Sequence, residues 1–231
     1  MLFRSAVCSQ EGCNSYEVIL VDNSADGAAC AINPVSLLKK DGRVSVRTVK
    51  WPAPGLSLAR NAGLAAASGA IICFLDDDSV PQPDWLAHVM QAFDTHADVG
   101  VVGGHIRLRV PEPRPSAVRP GWEKYWSHFV TGYTEFTTVS HWWEFPWGAN
   151  WAARRQALRE AGGFRSAFGR VGSNYWGGEE LVASAVIQRL GYRIGIEPRA
   201  EVIHEVQSSR FTFWHVCRTV IAGNLASYAA Q

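Results

Sequence analysis

The sequence has almost no net charge. Its 22 basic and 21 acidic residues leave a formal charge of +1, which excludes the basic excess of a nucleic-acid binder and the one-signed blocks of a disordered tail. No apolar run approaches the roughly 18 residues of a membrane span, and the first ten residues lack the pattern of a secretory signal. Cysteine is sparse: Cys8, Cys13, Cys30, Cys73 and Cys217 are odd in number and form no CxxC pair. Such thiols fit a reducing compartment better than a disulfide framework. A GxSxG elbow, a P-loop, an HExxH helix, internal repeats and low-complexity tracts are also missing. What the chain has is enough length for one large domain, 231 residues, and ten tryptophans, most of them between Trp122 and Trp176.

The first half alternates strand and helix signals. Tyr16-Glu-Val-Ile-Leu-Val21 is an apolar, β-branched run that ends in the turn formers Asp22-Asn23-Ser24. Residues 44–49 read as a second strand, and the Ala-rich residues 56–67 as a helix stopped by Gly69. Residues 70–75 are a continuous apolar run, the pattern of a strand buried on both faces. A helix over 84–93, with Asp84 as N-cap, and a strand over 99–102 follow. This alternation predicts an α/β fold, a mostly parallel open sheet flanked by helices. Beyond a Pro/Arg-rich connector at 111–120 the pattern turns aromatic and irregular to 147. Helices over 154–161, 179–190 and 211–228 and short strands over 192–196 and 201–204 complete the expectation.

Ile71-Ile-Cys-Phe-Leu-Asp76-Asp77-Asp78 places three successive carboxylates at the carboxyl end of a buried strand, where open α/β sheets form ligand crevices. If strand geometry continued, Asp76 and Asp78 would share one face and Asp77 the other. Two carboxylates on one face repel near a low-dielectric core, and a hard divalent cation with phosphate oxygens relieves that repulsion. The same acids also serve as caps of the following turn, so the residues alone leave both readings open. Other single residues have equally plain structural uses. Asp22 suits an Asx-turn, Glu179 and Glu180 suit the first turn of a helix, and a lone His204 at a strand end suits a structural hydrogen bond.

The set is more specific than its parts. Tyr16-Glu-Val-Ile-Leu-Val-Asp22-Asn23-Ser24, Gly55-Leu-Ser-Leu-Ala-Arg60-Asn61-Ala-Gly63, Phe74-Leu-Asp76-Asp77-Asp78, Trp147-Gly148-Ala149-Asn150 and Gly162-Gly163-Phe164 come in that order. Gly178-Glu179-Glu180, Arg189-Leu190-Gly191-Tyr192-Arg193 and Ala200-Glu-Val-Ile-His204 follow. Together, over residues 16–204, they resemble the motif series of the family 2 glycosyltransferases with the GT-A fold.

The resemblance implies a single domain over 1–231, with a Rossmann-like nucleotide-sugar-binding half at 16–110 and an acceptor and catalytic half at 111–231. It implies an inverting, hexosyltransferase-type enzyme of polysaccharide biosynthesis, moving a sugar from a UDP- or GDP-type donor to a saccharide or lipid-linked acceptor. On that pattern Asp22 hydrogen-bonds the nucleobase, Arg60 helps hold the nucleotide, Asp76 lies near the ribose with Asp77 beside it, and Asp78 and His204 hold Mn²⁺ or Mg²⁺. Glu180 is the general base with Glu179 in support. Trp147, Gly148, Asn150 and Trp176 form the sugar or acceptor pocket, with Trp151 a further candidate. The glycine-rich residues 169–178 suit a loop that orders over bound donor. The expected location is cytoplasmic. The helix at 211–228 serves either core packing or a peripheral contact with the inner face of a membrane, for which Trp214 and Arg218 are suited.

The chain departs from the family at its front. The family begins with one more strand and a helix, and residues 1–14 leave room only for a remnant of that helix. Loss of the strand is expected to expose unpaired backbone in a central part of the sheet. Two alternatives stand beside the transferase reading. A sugar nucleotidyltransferase would show a Gly-rich basic phosphate loop, which is not visible here. A non-catalytic carbohydrate-binding module would keep the tryptophans without needing Asp78 or Glu180.

Overall fold

The computed structural model describes residues 2–24, 42–170 and 177–230. The chain runs α1 (Leu2–Val7), β1 (Tyr16–Asp22), β2 (Val44–Lys50), α2 (Leu56–Ala66), β3 (Ile71–Phe74), β4 (Ser79–Pro81), α3 (Trp85–Thr95), β5 (Val99–Gly103) and β6 (Ile106–Leu108). It continues through β7 (Thr137–Val139), β8 (Trp151–Arg154), α4 (Arg155–Glu160), α5 (Glu179–Arg189), β9 (Arg193–Ile196), β10 (Val202–His204) and α6 (Phe213–Ala230).

The main sheet has five strands in the order β3-β8-β5-β9-β7. β3, β5 and β9 run one way, while β8 and β7 run against them. The sheet is therefore mixed, because β8 enters antiparallel between β3 and β5. β5 is buried along its whole length, as an all-apolar Val/Gly strand at the centre must be. Alternation divides its side chains between two cores. Val101, with Ile72 and Ala153, faces Leu64, Leu158 and Ile187 on the side of α2, α4 and α5. Val102, with Ala152, faces Trp85, Val89 and Phe93 of α3.

A three-stranded sheet, β4-β10-β6, joins the acidic segment to the end of the fold. β10 pairs antiparallel with β4 and parallel with β6. A third core under it gathers Val118, Trp126, Val206, Phe211 and Val216, so part of the aromatic middle is packing rather than binding surface. α6 buries His215 and Val216 on one side and leaves Phe213, Trp214 and Ile221 exposed on the other. Among the described residues no helix is long and apolar enough to cross a membrane.

β1 and β2 pair in parallel from Tyr16–Val44 to Asp22–Lys50, as a sheet of their own. Val18, Ile19, Leu20 and Val21 are only partly buried, although their composition is that of a strand covered on both faces. The Asp84 side chain makes no cap bond at the start of α3; its Oδ2 lies 3.1 Å from His88 Nε2 one turn on instead.

Close approach at Gly104 locks β5 and β6 against the loop before β10. A Cβ there would lie 1.7 Å from the Ala200 carbonyl oxygen. Gly104→Ala is expected to cost about 2–3 kcal/mol of stability by forcing that backbone apart. Urea denaturation with an unchanged midpoint would contradict the packing described.

Candidate active site

β3 stops at Phe74, and the chain turns through Asp76, Asp77 and Asp78 before β4 begins at Ser79. The Ser79 N–H donates to the Asp76 carbonyl at 3.0 Å and closes the turn. Strand alternation therefore does not reach the acids, and the turn sends Asp76 and Asp78 to different partners. Asp76 Oδ1 accepts from Arg60 Nη2 at 3.1 Å. Asp78 Oδ1 lies 3.0 Å from His204 Nε2, and its Oδ2 accepts from Arg210 Nη1 at 3.3 Å. The β4–β10 ladder makes that meeting possible, because it pairs Ser79 with His204. Asp77 is exposed beside them.

Arg60 is a hub rather than a free nucleotide contact. It projects from the Ala-rich face of α2 and is 7% exposed. Nη1 donates to Glu179 Oε1 at 2.7 Å, Nη2 donates to the Gly148 carbonyl at 3.1 Å, and Glu180 Oε2 stands 3.8 Å from Nη1. Gly148 is required by this geometry, since a Cβ there would lie 2.6 Å from Arg60 Nη2. The Gly148 N–H in turn donates to Glu180 Oε1 at 3.2 Å. Both glutamates come from the first turn of α5, which begins after Gly178 in a left-handed conformation, φ +103°.

Electrostatics divides the two glutamates. Glu179 is 1% exposed, and its Oε2 has no hydrogen-bond partner among the described residues. Burial and the neighbouring Glu180 carboxylate push Glu179 up to about 7, against the pull of Arg60. Burial opposes the Arg60 charge, but Glu179, Asp76 and Glu180 outweigh it and hold the guanidinium above its ordinary value. Glu180 is the more accessible of the pair, its side chain 17% exposed against 2% for Glu179.

At the other end of the turn, burial lowers His204, yet the hydrogen bond and charge of Asp78 prevail and raise it above the usual imidazole value. Burial raises Asp78, while His204 and then Arg210 bring it below the usual carboxylate range. His204 Nδ1 lies 2.8 Å from the Trp126 carbonyl, a contact that only an N–H satisfies. Nε2 therefore offers Asp78 either a second proton or a lone pair. A lone pair facing a carboxylate oxygen calls for a cation between them. Asp78 and His204 thus fit a divalent cation as a two-donor set. No group of three or more His, Cys, Asp or Glu among the described residues could hold one, so the other positions would fall to phosphate and water.

One cavity of about 1550 Å³ is lined by Asp22, Arg60, Asp76, Asp78, Glu180 and His204. Asp77, Glu179, Trp147 and Gly148 also border it, but Asn150 does not. Asn150 is 1% exposed and accepts from Trp85 Nε1 at 2.8 Å. Its Nδ2 donates to the carbonyls of Ala200 and His105, so it staples three backbone segments and is not a pocket residue. Trp151 is likewise core, with Nε1 donating to Ser184 Oγ at 3.0 Å. Trp176 and most of the glycine-rich loop lie outside the described residues. Asp22 is 2% exposed, and its Oδ1 accepts from the Ser24 N–H and hydroxyl, so the Asx-turn exists at the cavity wall. The sequence reading missed Arg210, Trp126, Trp142 and Trp143. The last two also border the cavity, and no local motif marks any of the four.

A family model described as Glycosyl transferase family 2 matches residues 5–162. Glucosyl-dolichyl phosphate glucuronosyltransferase of Haloferax volcanii is 27% identical over 177 residues, 73% of this chain and 54% of that protein. Succinoglycan biosynthesis protein ExoM of Rhizobium meliloti is 30% identical over 125 residues, 51% of this chain and 39% of that protein. Among solved structures, the mannosyltransferase PcManGT from Pyrobaculum calidifontis, in complex with GDP-Man and Mn²⁺, aligns with a TM-score of 0.62 at 20% identity. That alignment covers 95% of this chain and 58% of that one, and the likeness is one of fold. The chain spans about half the length of the curated relatives it matches.

The Arg60 hub makes a quantitative prediction. Arg60→Ala leaves Glu179 buried without its partner and is expected to cost about 3–5 kcal/mol. Adding Glu179→Gln should recover much of that loss, because the uncompensated charge is gone. Additive losses in a denaturation cycle of the two substitutions would show that the pair is not coupled.

Proposed function

The chain belongs to glycosyl transferase family 2 and is a glycosyltransferase, and on that premise we propose an inverting transfer from a UDP- or GDP-type sugar donor to a saccharide or lipid-linked acceptor. The carrying observation is that residues from separate segments, Asp76, Asp78, Glu180 and His204, border one cavity at the carboxyl end of β3. A donor whose diphosphate lies against Asp78 and His204 has its ribose toward Asp76 and its base toward Asp22. A divalent cation held by Asp78 and His204 would neutralise charge on the departing diphosphate. Arg210, already within reach of Asp78, supplies a second positive charge on that side.

Glu180 accepts the proton of the acceptor hydroxyl as that oxygen bonds to the anomeric carbon. The bond from that carbon to the diphosphate oxygen breaks, and its electron pair leaves with the nucleoside diphosphate. Glu179 and Arg60 do not touch the reactants in this reading. They hold the Gly148 peptide, whose N–H orients Glu180. A lipid-linked acceptor would suit the apolar outer side of α6, where Arg218 Cζ lies 5.3 Å from the centroid of the exposed Trp214 ring. The name of the Haloferax relative, which includes a dolichyl phosphate sugar, supports that acceptor class.

Calorimetric titration with UDP and GDP is expected to show binding of one of them that requires Mn²⁺ and weakens about tenfold or more in Asp78→Asn. Binding indifferent to the metal would remove the roles given to Asp78 and His204. Glu180→Gln should keep nucleotide affinity and lower acceptor-dependent release of the nucleoside diphosphate by about 10²–10⁴-fold. Survival of transfer would place the base elsewhere.

A further inference from the structure

Trp143 is a large ring held out of the core. It is 60% exposed, yet it lies parallel to the His141 ring, with centroids 4.4 Å apart and planes at 5°. Trp142 meets it edge-on, at 5.6 Å and 84°. The turn that carries the pair, Trp142–Glu144, is fixed through the Glu144 carboxylate. Oε2 accepts from the His141 N–H at 3.3 Å and Oε1 from the Tyr133 hydroxyl at 3.1 Å. Phe145, buried in the main core, anchors the chain directly after it. The indole is therefore presented rigidly with one face on His141, and among the described residues only these two rings contact it. An indole so exposed forgoes the burial that usually stabilises tryptophan, while its fixed orientation leaves little rotamer freedom to lose on binding.

Both tryptophans border the acidic crevice. From Phe145 the chain passes through Pro146 and Trp147 to Gly148, whose N–H donates to Glu180. Trp142 also borders a second, open cavity of about 370 Å³, lined among others by Ser140, His141, Gln188 and Arg189. Gln188 Nε2 donates to the Ser140 carbonyl at 3.0 Å, and its Oε1 accepts from no described residue. The two cavities are strung along α5. Glu180 in its first turn borders the crevice, and Gln188 in its last turn borders the second cavity. The step from Glu180 to Gln188 is about 12 Å of helix.

We propose that Trp143 and this second cavity form an acceptor subsite, and that the acceptor is accordingly a saccharide chain and not a single sugar. Its terminal unit presents the attacking hydroxyl to Glu180. The next unit lies on the face of Trp143 opposite His141, and a further one enters the cavity at Ser140 and Gln188. The inference rests on the transferase reading and deepens it by naming what is extended. A pyranose has an apolar C–H face that lies flat on an indole, and hydroxyls around its edge that need polar partners. The amide of Gln188, the guanidinium of Arg189, the hydroxyl of Ser140 and the imidazole of His141 offer such donors and acceptors. An acyl chain in the same place would bury those groups without hydrogen bonds, at an energetic cost. A single sugar at Glu180 is too short to reach them across that length of α5.

The test is saturation-transfer NMR and calorimetry on the whole chain, with gluco-, manno- and galacto-configured saccharides from mono- to hexasaccharide as probes. In at least one series, affinity should rise about tenfold or more from the monosaccharide to the tetrasaccharide and then level off. Trp143→Ala should return the longer members to the monosaccharide value, while Trp143→Phe should keep most of the gain because a ring face remains. The side chain is exposed, so the fold is expected to survive both changes. Arg189→Ala should weaken only the longer members and leave Mn²⁺-dependent nucleotide affinity unchanged. Affinity that does not grow with length in any series, or growth that survives Trp143→Ala, overturns the proposal. Octyl glucoside below its micelle concentration is the lipid-like control. If its octyl chain gains as much through Trp143 as added sugars do, the cavity takes a lipid and the proposal falls. UDP and GDP titrations of the same samples score the nucleotide reading separately, since length-dependent saccharide binding without nucleotide binding removes the donor reading and leaves the subsite standing.

Discussion

One buried guanidinium sets the arrangement of the glutamate side of the crevice. Arg60 ties α2 to the turn after β3 through Asp76, to the Gly148 peptide, and to the start of α5 through Glu179. A charge that deep is tolerated only with partners in good geometry, and three carboxylates around one cation leave the cluster short of positive charge. Burial first, and then that shortage, raise the proton affinity of Glu179, the most buried of the three. Glu180 gains its orientation indirectly, from a peptide N–H that Arg60 holds in place from the other side. Glu180, more exposed than Glu179, is thus positioned through a peptide that Arg60 holds.

The second half of the crevice is built from backbone pairing. β4 and β10 share only the positions Val202–Pro81 to His204–Ser79, yet that short ladder brings Asp78 to His204. Trp126 holds the imidazole from behind by its carbonyl, while its own indole N–H donates to the Arg210 carbonyl at 2.9 Å. The tryptophan excess therefore has two uses. Trp126 and Trp151 are buried beams that fix the site from outside, Trp142, Trp143 and Trp147 border the cavity, and the buried Trp85 does both.

The alternation of strands and helices was readable from the sequence because each run carries its own period and its own stop residues. Residues 70–75 announced a strand and residues 56–67 a helix, and β3 and α2 occupy those positions. Direction was not readable, since nothing local in Trp151–Arg154 says that β8 enters antiparallel between β3 and β5. Residues that border the crevice were named where a motif lies at an element's end, as with Asp78, Glu180 and His204. They were misjudged where the deciding partner is distant in sequence. Asn150 sits in a motif, but Trp85 and the carbonyls of His105 and Ala200 claim its side chain. Arg210 belongs to no motif, and only the return of the chain beneath β10 brings it to Asp78.

These contacts leave the crevice unevenly supported. The side that holds Asp76, Asp78, Glu180 and His204 rests on a five-stranded sheet with a fully buried central strand, on the three-stranded β4-β10-β6 sheet and on a hub of ion pairs. The side that holds Asp22 rests on a two-stranded sheet, and two strands alone are marginal in water. α2 packs on that pair with Gly63 beside Val21, and Glu17 ties its amino end to Ser68. Local opening is therefore expected first at the Asp22 wall, before the acids gathered around Arg60. A ligand that touches both walls would draw the looser one onto the firmer, so the ordering cost of binding falls on β1 and β2 while the geometry of Glu180 is left intact.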